Sequence, residues 1–426
     1  MRLSRLTALA AAAALAAVAA PASAADTRTG TGTGTGTWTY ADPAPIGNGL
    51  ALGGFSDLFP ADDSGKVFWT ITDRGPNADA PADNDKIFLK PDYTPQILKI
   101  RLAKNNRIEV LKRIPLRTPK GRTDPVTHTR NITGLPPAAL TGERPVDADN
   151  KVLPNDPYGV DSEGLVRAHD GSFWVSSEYG SSVLHFSSRG VLETVLVPAG
   201  SAFTAPGARV LPILPAIESK QKNNKGLEGL TISADGRTLY AAQQTQLANP
   251  DAKTAKKSRL QRIFRIDISG RTPAVTGEFA NIREADSATD GGWSTSTISW
   301  LGPDQLVVEE RDAVRPTAHT QFFAVDLRQA TNLLATKWDD PATTPALELN
   351  PTAVTPGAKR LVFDAAAAGL QNGKVEGLAV RHLGHGLAQF TLVNDNDFGV
   401  DGFKDGKIVP NDAVTRIDQY TVQLNG

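Results

Sequence analysis

Acidic residues recur at the ends of short, strand-like segments along this chain of 426 residues. One segment contains Asp161-Ser162-Glu163-Gly164-Leu165, a turn follows at Asp170-Gly171, and the return segment closes on Glu178. The start of one antiparallel strand and the end of the next lie at the same end of a hairpin, so these acids are predicted to lie close together. Carboxylates gathered in this way can bind a metal ion or transfer protons.

The same hairpin pattern occurs five times. The copies span residues 55–73, 161–178, 228–244, 297–310 and 376–395. In the fourth copy Thr297-Ile298-Ser299 stands where the neighbouring copies have Glu-Gly-Leu. Further strand-like runs follow each hairpin, such as Asn332 to Thr336 as the expected outer strand of the fourth unit.

Repeated units of four short strands predict an all-β fold, a β-propeller with five recognisable four-stranded units. We expect five or six blades; a sixth could lie only in residues 115–160, which are more typical of a long loop. A lone strand at Trp38-Thr39-Tyr40 could complete the final blade. The alternative fold, a β-sandwich, does not account for the regular copies.

On a propeller, the repeated acids should gather near one mouth of the central channel. This expected set is Asp57, Asp73, Glu163, Glu178, Glu228, Glu310, Glu376, Asp395 and Asp397. Crowded carboxylates repel one another unless cations intervene. The cation could be Ca²⁺, which prefers oxygen ligands, or the nearby Arg74, Lys225, Arg311 and Lys374. The alternative is structural: each acid accepts backbone amides of a neighbouring blade.

Three segments are predicted along the chain. Residues 1–24 have the charged start, the apolar run and the Ala22-Ser23-Ala24 site of a secretory signal, with cleavage expected after Ala24. Residues 25–37 are Thr/Gly-rich and predict a flexible linker. Residues 38–426 form the propeller domain. No later segment is apolar enough to span a bilayer, so we expect a secreted protein.

The composition and the absence of known motifs limit the kinds of partner and of catalysis that this chain could have. The formal charge is −1 and cysteine is absent, which argues against a nucleic-acid partner and excludes thiol catalysis. There is no Gly-x-Ser-x-Gly elbow, His-Glu-x-x-His or P-loop motif. The remaining chemistry belongs to carboxylates, metal ions and arginines, a combination suited to phosphate esters.

Several motifs resemble the phytase-like family, described as "esterase-like activity of phytase", across roughly Leu50 to Phe403. They are Asp73-Arg74-Gly75-Pro76, the Glu-Gly-Leu segments that begin at Glu163, Glu228 and Glu376, and Asn394-Asp395-Asn396. The resemblance implies a secreted protein with phosphoesterase-type activity carried by acidic residues, among them Asp73, Glu163, Glu228 and Glu376, with Arg74.

We therefore expect an exported, monomeric propeller that hydrolyses phosphate esters, such as phytate or a phosphodiester, with Ca²⁺ at the channel mouth. The expected catalytic residues are Glu163, Glu228, Glu376 and Asp73; the substrate-binding residues are Arg74, Arg311 and Lys225; the metal ligands are Asp57, Glu178, Glu310, Asp395 and Asp397. Two alternatives remain: a non-catalytic extracellular binding propeller, and a lactonase- or esterase-type metal-dependent propeller that needs no arginines.

Overall fold

Five antiparallel sheets are arranged as blades around a central channel. The computed structural model describes residues 30, 32–284, 293–312, 319–371 and 373–424. The first strands of successive blades contact one another around the ring, and the last contacts the first. The fold is therefore the expected β-propeller, with five blades. The predicted signal segment, residues 1–24, lies outside the described residues.

Blades 1 to 3 each follow the chain from the channel outward. Blade 1 consists of Phe59–Pro60, Val67–Ile71, Gln96–Leu102 and Ile108–Pro115. Blade 2 consists of Ser162–Arg167, Phe173–Ser177, Ser182–Phe186 and Leu192–Pro198, with Arg209–Leu214 added in parallel. Blade 3 consists of Leu227–Ile232, Thr238–Gln243, Leu260–Asp267 and Ala274–Ile282.

Blade 5 joins the two ends of the described chain. Blade 4 consists of Ile298–Gly302, Gln305–Arg311, Thr320–Asp326 and Ala358–Asp364. Blade 5 consists of Val375–Gly384, Leu387–Asn394, Arg416–Gln423 and, as its outer strand, Gly32–Thr39. The expectation that a strand at Trp38 completes the final blade is confirmed, because Trp38 pairs with Ile417.

Two expectations about strands need correction. Residues 32–37, assigned to a flexible linker, form most of the outer strand of blade 5, since pairing with Arg416–Gln423 supplies the order that their composition does not. The outer strand of blade 4 is Ala358–Asp364 rather than Asn332 to Thr336. Residues 327–357 instead form a long excursion that contains three short 3₁₀ helices.

Three small sheets and six short 3₁₀ helices among the described residues lie outside the five blades. The additional strands are Pro45–Gly47 with Leu50–Ala51, Asn77–Asp79 with Asp85–Phe88 and Arg144–Val146, and Val400–Lys404 with Lys407–Pro410. The 3₁₀ helices are Ala216–Lys220, Thr254–Lys257, Lys337–Asp339, Leu347–Leu349, Pro351–Ala353 and Asp397–Gly399. Residues 115–160 contribute only a short strand to one of these small sheets, so this region is a loop, as expected. No helix among the described residues is long and apolar enough to cross a membrane.

Apolar side chains fill the space between each pair of neighbouring blades. One buried cluster lies at each of the five blade interfaces. The leucines of the Glu-Gly-Leu segments, Leu165, Leu230 and Leu378, are each at most 2% exposed and belong to these clusters. Burial of these leucines fixes the inner strands against one another, which in turn fixes the preceding glutamates.

An acidic mouth of the channel

A β-bulge places each motif glutamate. The pairing register shifts between Ser162 and Leu165, and likewise immediately around Glu228 and Glu376. A bulge leaves a residue out of the ladder and redirects its side chain. In all three Glu-Gly-Leu segments, therefore, a β-bulge turns the glutamate side chain toward the same end of the central channel.

The glycine of this motif is required by close approach of the inner strands. A Cβ atom at Gly164 would lie 2.5 Å from the Leu230 Cβ of blade 3, and one at Gly377 would lie 2.8 Å from the Asp57 Cα of blade 1. Ser176 Oγ accepts the N–H of Gly164 and donates to the carbonyl of Glu228 at 2.8 Å, which ties blade 2 to blade 3 beside the bulges.

We call the resulting charged cluster the acidic mouth. Its carboxylates are Asp73, Asp161, Glu163, Glu178, Glu228, Glu309, Glu376 and Asp395, and its cations are Arg74, Lys225, Arg311 and Lys374. The carboxylates outnumber the cations, and every one of these acids is buried. Such a cluster is costly unless its negative charge is removed by protons or compensated by cations.

One side of the acidic mouth contains acids that are poorly compensated; we call Asp161, Glu163, Glu178 and Glu228 the open half. One carboxylate oxygen from each of Asp161, Glu163 and Glu178 lies within 4.8 Å of the others. Burial, then Glu228 and Asp161, raise the pKa of Glu163 well above its usual range. Burial raises the pKa of Glu178 to about 7, although Lys225 opposes the shift.

Glu228 is the most deeply buried member of the open half, at 1% exposure. Its Oε1 accepts a hydrogen bond of 2.9 Å from Gln244 Nε2, the residue that follows the second strand of blade 3. Burial and the neighbouring Glu178 and Glu376 raise its pKa well above the usual range. Glu228 therefore favours its protonated form while the mouth holds no further cation.

Blade 4 contributes Glu309, not the predicted Glu310. Glu310 faces away from the mouth, toward blade 3, and pairs with Lys359 at 2.5 Å. Glu309, on the opposite face of the same strand, is fully buried beside Arg311 and Glu376, and burial raises its pKa to about 8. Since side chains alternate along a strand, the prediction was wrong by one residue. Knowledge that Arg311 faces the mouth would have identified Glu309.

The Arg74 guanidinium is already engaged by side chains of two loops and by Asp161, so it is not a free cation. Its Nη1 contacts Glu143 Oε2 at 2.8 Å, Asn224 Oδ1 at 2.9 Å and Asp161 Oδ2 at 3.3 Å. Asp73 precedes it and accepts the N–H of Gly75 at 2.7 Å, which closes the Asp-Arg-Gly-Pro turn. Gly75 has a φ of +103°, and a Cβ there would meet the Tyr93 ring. The motif therefore positions Asp73 and Arg74 by a turn that needs glycine.

The other side of the acidic mouth is compensated; we call Glu376 and Asp395, with Arg311, Lys374 and the half-buried Asp397 at the edge of the mouth, the paired half. Arg311 Nη2 donates to Glu376 Oε1 at 2.8 Å, and its Nε donates to Ser296 Oγ at 2.8 Å. The Lys374 ammonium contacts Asp395 and Asp397 and lies 3.6 Å from Glu376 Oε1. Lys374 was expected among the nearby cations, and its contacts now give it a definite partner set.

Asp57, expected as a metal ligand, instead joins blades. Its Oδ2 accepts the N–H of Leu165 in blade 2 at 2.7 Å, and its Oδ1 accepts the N–H of Leu58 and the Thr297 hydroxyl that precedes blade 4. The alternative structural reading of the acids is correct here. Thr297, where the fourth unit departs from Glu-Gly-Leu, thus supplies a donor to Asp57.

Several buried oxygens of the mouth fit a cation. Asp161 Oδ2, Glu178 Oε1 and Glu228 Oε2 accept no hydrogen bond from the described residues; Arg74 Nη1 lies 3.3 Å from the first and Lys225 Nζ 3.7 Å from the second. Buried polar atoms normally have partners, and Ca²⁺ takes six to eight oxygen ligands in flexible geometry. The open half therefore has the donor set of a hard divalent cation.

Residues 50–398 match the family described as "Phytase-like: Esterase-like activity of phytase". An uncharacterized secreted protein of Arthroderma benhamiae is 34% identical to this chain over 178 residues, which is 36% of this chain and 34% of that protein. The match thus spans about a third of the length of that relative.

Two solved structures are more distant. The periplasmic gluconolactonase PpgL of Pseudomonas aeruginosa has 13% identity and a TM-score of 0.37, covering 92% of this chain and 99% of that one. The PQQ-bound aldose sugar dehydrogenase of Streptomyces coelicolor has 12% identity and a TM-score of 0.35, covering 88% and 82%. At this level of similarity, neither bears on the activity of this chain.

Proposed function

The chain belongs to the phytase-like family, and on this premise we propose that the acidic mouth hydrolyses esters of phosphoric acid with the assistance of calcium. The observation that carries the proposal is the set of buried carboxylate oxygens in the open half that accept no hydrogen bond from the described residues. Export of the protein as a monomer, after removal of residues 1–24, is part of the proposal, and the secreted relative supports the export.

Asp161, Glu163 and Glu178 would hold the cation. A bound calcium ion would supply positive charge against the oxygens of an anionic ester. Lys225 is the substrate-facing cation of the chain, because its side chain is 40% exposed and its ammonium is 3.7 Å from Glu178, a loose pairing. The remaining work of the chain is to orient the ester and to transfer protons.

Glu228 is proposed as the proton donor. Burial and the neighbouring Glu178 and Glu376 raise its pKa, its Oε2 accepts no hydrogen bond from the described residues, and Gln244 donates to the other oxygen. In hydrolysis the ester bond breaks as the oxygen of water bonds to phosphorus; the leaving alkoxide takes a proton from Glu228, and the proton that water releases returns Glu228 to its acid form. Glu228 can give that proton from Oε2, a role for which a raised pKa is suited.

Arg74 and Arg311 are proposed as positioning residues instead of phosphate ligands. Their guanidinium groups already donate to Glu143, Asn224, Ser296 and Glu376. Removing either would leave buried carboxylates without partners, which is costly. We also propose a positioning role for four acids whose carboxylates already have partners: Asp73, Glu376, Asp395 and Asp397. The cation is therefore assigned to the open half.

The engagement of both arginines favours a second candidate, hydrolysis of a neutral ester or lactone. A neutral substrate needs no guanidinium to receive it, and a cation in the open half could polarise a carbonyl oxygen. Lys225 would then be dispensable for turnover, whereas an anionic ester should need it. The two candidates share the same site and differ in the substrate.

The deciding assay is product release from phytate, from bis-p-nitrophenyl phosphate and from a simple lactone, each with calcium and with EDTA. We expect calcium-dependent phosphate or nitrophenol release. Lactone hydrolysis alone would establish the second candidate. If a folded sample converts none of the three substrates, catalysis is contradicted and a non-catalytic binding propeller is favoured.

The metal-free protein should lose stability as the pH rises, and added calcium should restore that stability. Unfolding returns a buried glutamate toward its ordinary pKa of 4.5, whereas the folded values are about 7 for Glu178 and about 8 for Glu309. The unfolded state therefore binds fewer protons between pH 4.5 and pH 8, and metal-free stability falls as pH rises through that window. We expect the unfolding temperature in EDTA to fall from pH 5 to pH 8.

Since calcium prefers the ionised carboxylates, the increase in unfolding temperature on its addition should grow over the same pH range. The Glu309→Gln variant is the matched control, because it removes one titrating group and should flatten the pH dependence in EDTA. A calcium effect equal at pH 5 and pH 8 would contradict the cation site.

A further inference from the structure

Lys374 brings an ammonium group to the centre of the paired half. Its Nζ contacts the carboxylates of Asp395 and Asp397 and lies 3.6 Å from Glu376 Oε1. The negative charge of Asp73 also attracts the Lys374 ammonium. The ammonium thus occupies the middle of a carboxylate group, a position in which a metal ion would also be stable.

The backbone is shaped to deliver this side chain. Lys374 has a φ of +58°, in the left-handed region that is unfavourable for a residue with a side chain, and Asp397 has a φ of +48°. Such conformations are strained and persist where the surrounding structure requires them. The N–H of Asp395 donates to the carbonyl of Lys374 at 3.0 Å, which holds the lysine next to the acid that its ammonium contacts.

The two halves of the acidic mouth therefore differ in how their charge is compensated. In the paired half, Lys374 and Arg311 contact the carboxylates directly. In the open half, Glu178 Oε1 and Glu228 Oε2 are buried and lack hydrogen-bond donors from the described residues, and Asp161 Oδ2 has only an ionic contact of 3.3 Å with Arg74 Nη1. Lys225 approaches only to 3.7 Å, on a side chain that is 40% exposed.

We propose that Lys374 is a built-in replacement for a second metal ion, so that the mouth binds one divalent cation, in the open half. This inference rests on the proposed cation site. The ammonium supplies one positive charge and three donors at a fixed place, and it leaves the paired half assembled when metal is removed. A single-ion mouth can exchange its metal without losing the arrangement of Glu376, Asp395 and Asp397.

The test is calcium stoichiometry, measured by isothermal titration calorimetry on the folded protein at calcium concentrations up to about 1 mM, the range of extracellular calcium modules. We expect one ion for the wild type and two for Lys374→Met, since the paired half then has carboxylates without their central cation. Lys374→Arg should still bind one, because it retains the positive charge. Circular dichroism checks that each variant is folded.

The outcomes separate this inference from the proposed activity. A wild-type protein that binds no calcium, or two ions, overturns it, and so does a folded Lys374→Met variant that still binds one. Should that variant fail to fold, Lys374→Gln, which retains donors at similar length, provides the same test. One ion in the wild type, two in the variant and no ester hydrolysis would support the role of Lys374 and contradict only the proposed reaction.

Discussion

Replacing Glu228 by glutamine should lower turnover by about 10²–10⁴-fold, the usual contribution of a general acid or base, while the protein stays folded. Glutamine has the same shape, and its side-chain oxygen can still accept the hydrogen bond from Gln244. It cannot give up a proton to a leaving group. The measurement is kcat and KM on the best ester substrate, together with the unfolding temperature.

Glu310→Gln is the matched control for this experiment. Glu310 is a buried glutamate like Glu228, yet it pairs with Lys359 between blades 3 and 4 and lies outside the acidic mouth. Its replacement should change kcat by only a small factor, whatever it does to stability. Wild-type turnover by a folded Glu228→Gln protein would remove Glu228 from the mechanism.

Replacing Arg262 by methionine should lower the free energy of unfolding by about 3–5 kcal/mol, the cost of removing one partner of a buried ion pair. Arg262 is 0% exposed and contacts Glu278, Glu348 Oε1 at 2.9 Å and the carbonyl of Trp338 at 3.3 Å. Methionine would leave two buried glutamates without their cation. These contacts attach the 3₁₀ helices at 337–339 and 347–349 to blade 3.

Denaturant unfolding followed by intrinsic fluorescence measures the effect. Arg328→Met is the matched control, because Arg328 pairs with Asp326 on the surface, where its side chain is 57% exposed, and exposed pairs contribute at most about 1 kcal/mol. Adding Glu278→Met to Arg262→Met should recover part of the loss, since it removes one uncompensated buried charge. Equal losses for Arg262→Met and Arg328→Met would contradict a buried network.

The blades were predictable because each hairpin carries its own local signal. Turn residues such as Asp170-Gly171 and the alternation around them identify the first two strands of a unit without reference to the rest of the fold. The outer strands depend on partners far away in sequence. Gly32–Thr39 has glycine at three of its eight positions, which weakens a strand, and pairing with Arg416–Gln423 orders it.

The sequence predicted which kinds of residue form the candidate site. It did not predict which strand residues face the mouth or which ion pairs they form. A shift of one residue exchanges Glu309 for Glu310 because successive side chains of a strand point to opposite faces. Sequence shows that Arg74 and Arg311 are charged, but it does not show that Glu143 and Glu376 already occupy them. The bulges at the Glu-Gly-Leu segments, which aim the glutamates, have no sequence signal beyond the glycine itself.

Blade 5 makes the assembly of the ring dependent on Arg416–Gln423, the last strand among the described residues. The Thr37 hydroxyl donates to Asp418 Oδ1 at 2.6 Å across 381 positions of the chain. The entropic cost of closing so long a loop grows only slowly with its length, but contacts this distant in sequence form late. A chain that still lacks residues 416–423 has no partner for Gly32–Thr39 and lacks Ile417, Tyr420 and Val422, which pack at the two interfaces of blade 5. Loss of that one short segment would therefore disable the whole circle rather than one blade.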